Sequence, residues 1–142
     1  MKQILVYGRI FNVSNYGGYP NDNLDDTNAT QAAAYLASSS GPNNIVVFQS
    51  GRYDFQSTVS LYNAINLTVM GQGQDVTFLI GHSPTMMFNA GNSVGLTLMM
   101  FSIDYQPLSF TAGYVVSVAA SYLDLQVVAP HQADVGRQVA AI

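Results

Sequence analysis

Short apolar runs, separated by Gly, Asn, Ser and Pro, make up most of the chain from Ile45 onward. Residues of the β-branched and aromatic types dominate these runs, and several alternate apolar with polar positions, which is typical of strands. The predicted strands are Ile45–Phe48, Tyr53–Phe55, Thr58–Leu61, Ile65–Met70, Val76–Ile80, Met86–Phe88, Val94–Ile103, Tyr114–Val118 and Tyr122–Val128.

One segment before these runs has the pattern of a helix. An Ala-rich stretch follows a polar stretch of Asp, Asn and Thr whose side chains accept hydrogen bonds from free helical N–H groups. Asn28 and Gln31 have the spacing of a capping box, and Gly41-Pro42 is a typical helix stop. The sequence therefore predicts a single helix over about 27–39.

The strand pattern also repeats at a long, nearly constant interval. Ile65-Asn-Leu-Thr-Val69 aligns with Val94-Gly-Leu-Thr-Leu98, and both align with Tyr122-Leu-Asp-Leu-Gln126 at nearly the same spacing again. In a solenoid, equivalent strands recur once per coil and stack in parallel. We therefore expect parallel stacking of the segments around Leu67, Leu96 and Leu123. A β-sandwich with accidental spacing is the alternative, which the pattern alone leaves open.

The composition supports a packed, strand-rich chain. Hydrophobic residues make up 49% and charged residues 8%, the reverse of the balance in disordered proteins. All eight acidic residues are Asp, and the absence of Glu beside nine Tyr and seven Phe favours strands over helices.

Charge and residue types exclude several function classes. The net charge is −4 and the four cations, Lys2, Arg9, Arg52 and Arg137, are scattered, which argues against nucleic-acid binding. The chain has no Cys, so disulfides, thiolate zinc sites and cysteine nucleophiles are excluded. No apolar run approaches the ~20 residues of a membrane span, and residues 1–11 lack the features of a signal peptide.

Four motifs resemble the N-terminal signature of the pectate-lyase-like β-helix superfamily, in the same order. They are Phe11-Asn-Val-Ser-Asn-Tyr-Gly17, Asp25-Asp-Thr-Asn-Ala-Thr-Gln-Ala32, Val47-Phe-Gln-Ser-Gly-Arg-Tyr53 and Val69-Met-Gly-Gln-Gly73. The chain departs from the family pattern at Tyr19-Pro-Asn-Asp-Asn23, where members have a Gly-Asp-Gly loop, and at Gln49, where they have Pro.

The resemblance implies an all-β solenoid, a right-handed parallel β-helix with one N-terminal capping α-helix. We expect a single domain over 1–142, with the first strand and capping helix in 11–41 and roughly three coils in 42–142. Family members usually have many more coils, so the chain is expected to be truncated relative to the family. The implied activities include polysaccharide lyases, glycoside hydrolases, exo-β-1,3-glucanases and phage tailspikes, and the implied location is secreted or extracellular.

The candidate site residues are polar side chains beside predicted strands. Glycoside hydrolysis usually needs two carboxylates, and Asp104 and Asp134 are the candidate catalytic residues. Tyr105, His131 and Arg137 are the candidate substrate-binding residues. Competing structural interpretations are a turn cap at Asp104 and a solvated loop over 130–137.

Other polar residues have structural interpretations. Asp25 and Asp26 are predicted as helix caps, and Asp54 and Asp75 are predicted in turns. No cofactor or metal site is predicted from the residues. Calcium enters as a candidate ligand only through the family resemblance.

Two functions follow from these observations. The first is polysaccharide binding or processing as part of a pectate-lyase-like β-helix protein, and the alternative is a non-catalytic structural or assembly module. Whether the chain is an enzyme stays open between them. We also expect homo-oligomers through the C-terminal end of the helix, because 135–142 is largely apolar and a solenoid end without a polar cap exposes its core.

Overall fold

A computed structural model describes residues 8–83, 86–106, 113–120 and 123–127. The chain divides into two compact units, residues 1–106 and 107–142, which are described separately.

The described part of the first unit contains one α-helix and nine short strands. Its helix is α1 (Thr27–Ser39), preceded by a 3-10 turn over Val13–Tyr16. Its strands are β1 (Ile10–Asn12), β2 (Ile45–Val47), β3 (Gly51–Phe55), β4 (Val59–Ser60), β5 (Thr68–Met70), β6 (Thr77–Gly81), β7 (Phe88–Asn89), β8 (Thr97–Met99) and β9 (Ser102–Tyr105).

These strands form three sheets, and all of their pairings are parallel. The strand orders are β1-β2-β5-β8, β3-β6-β9 and β4-β7. From β2 onward the chain visits the three sheets in a constant order, β2-β3-β4 and then β5-β6-β7, and β8 and β9 continue the first two sheets. Val69 pairs with Leu98 and Ile65 bridges to Val94, which confirms the predicted alignment of the first two repeat segments.

The turns that return the chain to the first sheet also repeat. Asn63 and Asn92 both have positive φ, as do Asn66 and Gly95, and each pair is separated by the same interval as Ile65 and Val94. Asn and Gly tolerate this left-handed conformation better than other residues. At Gly95 a side chain would also collide with Asn66, since an added Cβ would lie 2.2 Å from its Oδ1. The repeat thus includes the turns as well as the strands.

The core lies between the three sheets, where side chains of successive passes form rows. One row in the first sheet contains Val46 and Val69, and one in the second contains Tyr53 and Leu79, all at most 1% exposed. The ring of Phe48 packs edge-on against Tyr53 at a centroid distance of 4.9 Å. Aromatic packing of this kind adds stability beyond the burial of area.

Helix α1 begins and ends where the sequence predicts, and of the two predicted Asp caps only Asp25 caps it with its side chain. Asp26 occupies the N-cap position, but its side chain makes no capping bond, and Asp25 instead accepts the N–H of Thr27 at 3.0 Å. The predicted Asn28–Gln31 capping box is wrong. The Gln31 amide instead donates to the carbonyl of Ser60 in β4 at 2.9 Å and accepts the N–H of Ser60 at 2.7 Å, because a strand edge offers both groups.

The helix packs its small residues on the first passes of the sheets. Ala33, Ala34 and Ala37 are at most 1% exposed, and α1 contacts β1, β2 and β4. Their small side chains let the helix approach the strands closely. The helix therefore covers the apolar interior at one end of the stack.

The second unit contains β10 (Gly113–Val118) and β11 (Leu123–Val127), which pair with each other antiparallel. The prediction that the segment around Leu123 stacks in parallel on the segment around Leu96 is therefore wrong. Only a short stretch of chain separates the two strands, and a short connection favours an antiparallel hairpin, whereas parallel strands need a long crossover. The recurrence at Tyr122 reflects the strand pattern of this segment and does not specify its partner.

Candidate functional site

Asp104 lies in β9 on the face of the β3-β6-β9 sheet that points away from the core. Its side chain is exposed, and its Oδ1 accepts the N–H of Tyr105 at 2.8 Å. In register with it across the sheet are Ile80 in β6 and Asp54 in β3.

Tyr105, the next residue along β9, points to the opposite face, because successive side chains of a strand alternate. Its ring covers Gly81, where an added Cβ would lie 2.6 Å from the ring, and Phe55 continues the same row. The side chains of Asp104 and Tyr105 therefore lie on opposite faces of the sheet and do not form one site. The candidates Asp134, His131 and Arg137 lie outside the described residues.

A cluster that the sequence analysis did not select lies on the same outward face. Asp54 is buried, and its Oδ1 accepts hydrogen bonds from Nε and Nη2 of Arg52 at 3.0 and 2.7 Å. His82 Nε2 contacts the same oxygen at 2.5 Å. The turn predicted at Asp54 is wrong, since this residue lies within β3.

Register places the three side chains of this cluster side by side. Arg52 and Asp54 are two positions apart in β3 and so point the same way. His82 directly follows β6, and its N–H bonds the carbonyl of Phe55, which continues the parallel pairing by one position. His82 is 28 residues after Asp54, close to the interval at which the strands repeat. This spacing was the sequence signal that could have revealed the cluster.

The cluster keeps Asp54 ionised. Burial alone raises the pKa of the Asp54 carboxyl, but hydrogen bonds from Arg52 and His82 outweigh it and bring the pKa below its ordinary value. The same contact with Asp54 raises the pKa of Arg52. With Asp54 ionised, His82 Nε2 donates to it, and Nδ1 has no hydrogen-bond partner among the described residues.

Two more carboxyl groups lie beside the cluster, at the edge of β3. The N–H of Asp26 donates to the carbonyl of Asp54 at 2.7 Å, and its Oδ2 accepts the Asp54 N–H at 2.9 Å. Burial raises the pKa of Asp26 to about 7, and neighbouring carboxylates add to this effect. For Asp25, burial raises the pKa, but bonds from Thr27 and Gln56 outweigh it and the net shift is downward.

The outer β3–β6–β9 face is the name used below for the outward-pointing side chains of this sheet. Its members are Arg52, Asp54, Phe78, Ile80, His82, Ser102 and Asp104. Phe78 lies between Arg52 and Ser102 and is 40% exposed. The face therefore combines an accessible aromatic ring, a guanidinium, an imidazole and carboxylates.

The described residues contain no group of three side chains that could hold a metal ion. Within the same residues, no helix is long and apolar enough to cross a membrane.

Comparison with solved structures finds a similar fold in a catalytic domain. The structure resembles the crystal structure of the Agl-KA catalytic domain with a TM-score of 0.58 and 20% sequence identity. The likeness covers 74% of this chain and 19% of that chain. No family model matches the sequence, and no curated protein matches it. At this identity the likeness establishes the fold that both share, mostly β with parallel sheets.

Proposed function

We propose that this chain is part of a pectate-lyase-like, right-handed parallel β-helix protein that binds a polysaccharide. The fold part of the proposal is supported by three parallel sheets visited in a constant order, with α1 packed on the first passes. The family motifs lie in the same elements: Asp25-Asp-Thr27 leads into α1, and Gly51-Arg-Tyr53 opens β3. The likeness to the Agl-KA catalytic domain supports the same fold.

One observation carries the binding part of the proposal, namely the arrangement of the outer β3–β6–β9 face. Sugar rings have apolar faces that pack on aromatic rings and hydroxyl edges that need donors and acceptors. Phe78 offers such a ring, Arg52 lies beside it in register, and His82 lies further along the same face; the side chains of Arg52 and His82 are 36% and 26% exposed. Asp54 holds both of these side chains in place. A preorganised polar group loses less entropy on binding a ligand.

The geometry supports binding more strongly than hydrolysis. Glycosidases use a pair of carboxyl groups, and the pair on this face is Asp54 and Asp104, two strands apart with roughly 9.5 Å between their backbones. Hydrolysis also needs a protonated acid, which is usually a buried carboxyl with few ionic partners. Asp54 is held ionised and Asp104 is exposed, so neither matches this role.

The test is binding to soluble β-1,3-glucan, measured by affinity electrophoresis, with release of reducing ends followed in the same samples. We expect retardation of the wild type without cleavage, and loss of most of this retardation in Phe78→Ala. Tyr35→Ala, at an exposed aromatic residue of helix α1, is the matched control. Equal retardation of all three proteins, or no retardation of the wild type, would contradict the proposed face.

A second function is assembly through the end of the stack opposite α1. The segment 135–142, from which association was predicted, lies outside the described residues, but a separate observation supports this function. Leu98 continues the row of Val46 and Val69 but is 43% exposed. Ile103 continues the row of Tyr53 and Leu79 and is 44% exposed. Core positions of the third pass are thus uncovered, and exposed apolar patches of this kind mark association surfaces.

A further inference from the structure

The charge balance of the outer β3–β6–β9 face is set by Asp54. The described residues contain two arginines, of which Arg9 precedes β1 in the first sheet and Arg52 lies on this face. Asp54 accepts two N–H groups of Arg52 and is 5% exposed, so the charge of this guanidinium is balanced within the protein. The face therefore has a guanidinium that donates hydrogen bonds without offering an unbalanced positive charge.

The remaining charges around the cluster are negative. Asp104 is exposed in the same register row as Asp54, and Asp25 forms an isolated bridge to Asp54 at the edge of β3. An anionic ligand on this face would meet two carboxylates and no unpaired cation among the described residues. Like charges brought together at a binding surface oppose association and provide specificity.

The hydrogen-bonding groups left free on the face suit hydroxyl groups. Arg52 Nη1 carries N–H donors that Asp54 does not use, and His82 Nδ1 is an acceptor when Nε2 donates to Asp54. A sugar hydroxyl both donates and accepts, so it can bridge these two side chains. A carboxylate only accepts and cannot use the His82 acceptor.

We propose that Asp54 is a specificity-determining residue that makes the outer β3–β6–β9 face select neutral glycans over uronate-containing ones. The proposal rests on the proposed function, since it names the ligand class of the same face. Asp54 acts in two ways. It balances the charge of Arg52, and it fixes the tautomer of His82 so that Nδ1 accepts. Asp54 is thus a positioning residue as well as the source of the selectivity.

The experiment compares binding of a β-1,3-glucan hexasaccharide and a hexagalacturonate by calorimetry. We expect the wild type to bind the neutral hexasaccharide at least tenfold more tightly. In Asp54→Asn we expect the ratio of the two affinities to shift by about tenfold or more toward hexagalacturonate, equivalent to about 1.4 kcal/mol. The freed Arg52 then attracts the anion, while the loss of a fixed His82 weakens neutral binding.

Three further measurements separate this proposal from a general structural effect. In Arg52→Gln/Asp54→Asn the gain in hexagalacturonate affinity should disappear, because no freed guanidinium remains. Asp104→Asn, at an exposed side chain, should raise hexagalacturonate affinity several-fold even if Asp54→Asn fails to fold. High salt should reduce the selectivity of the wild type, since screening weakens repulsion between exposed charges.

The outcomes distinguish this proposal from the function on which it rests. Wild-type binding to hexagalacturonate as tight as to the neutral glycan would overturn the assignment of Asp54 and leave polysaccharide binding standing. The same holds if Asp54→Asn folds and keeps the wild-type ratio. Absence of binding to both hexasaccharides would overturn this inference and the proposed function together.

Discussion

Asp26 shows how a single buried carboxyl can control the pH dependence of stability. It is 2% exposed, and its Oδ1 has no hydrogen-bond partner among the described residues, whereas its Oδ2 accepts the N–H of Asp54. Burial with one unsatisfied oxygen disfavours the ionised form, which is why the pKa of Asp26 rises to about 7. Between its ordinary pKa and this value, the folded protein binds a proton that the unfolded chain has lost.

We predict that this contribution of Asp26 to stability falls as the pH rises toward 7. The raised pKa stabilises the fold at low pH, and the contribution is lost as the pH passes through the folded-state value. Between about pH 5 and pH 8 the loss is roughly 3 kcal/mol. Chemical denaturation of the wild type and Asp26→Asn over this range measures it. The difference between their unfolding free energies isolates Asp26 from other titrating groups, and a difference independent of pH would contradict the prediction.

The cluster of Arg52, Asp54 and His82 is the part of the candidate site that the sequence predicted least well. Asp54 has apolar neighbours on both sides, Tyr53 and Phe55, which point inward and leave it on the outer face. The alternation and the local partner Arg52 were visible in the sequence, whereas His82, one pass away, was indicated only by its spacing from Asp54. Composition does not reveal such a contact. It requires the register between β3 and β6.

At the scale of elements, strand positions and the helix were predictable, whereas pairing was predictable only in part. The interval from Ile65 to Val94 specifies the pairing of β5 with β8 because turns with left-handed residues repeat along with the strands. For β11 the interval is close to this value, but β10 is nearby in the chain and becomes its antiparallel partner. The apolar pattern identifies a strand, while turn chemistry and chain length determine what it pairs with.

We predict self-association through strands β8 and β9, because their core positions are exposed. Leu98 and Ile103 occupy core rows yet are exposed, so covering them with another molecule removes apolar surface from water. We expect the average mass in sedimentation to rise with concentration for the wild type and to stay near the monomer for Leu98→Lys/Ile103→Lys. Val76→Lys, at a residue of 45% exposure outside these rows, is the control and should behave like the wild type. A wild type that stays monomeric at high concentration would show that this end does not associate.

At the scale of the whole first unit, parallel stacking separates the inward and outward side chains of each strand. Inward rows of the β3-β6-β9 sheet bury Tyr53, Phe55 and Leu79, while outward rows place Arg52, Asp54 and His82 together. A stack of this kind gives a ligand a flat surface on which equivalent positions recur at roughly 4.8 Å from strand to strand. A polymer of sugar units is the kind of ligand that can use such a surface along its length.

Chemical-shift mapping with the β-1,3-glucan hexasaccharide tests this central claim most directly. We expect the largest shifts on titration at outward residues of the sheet, Phe78, His82 and Ser102, including the imidazole resonances of His82. Tyr62, an exposed aromatic residue beyond β4, should remain unshifted and is an internal control. Shifts concentrated at Tyr62, or spread over the surface without a maximum on the outer β3–β6–β9 face, would show that the glycan does not bind this face.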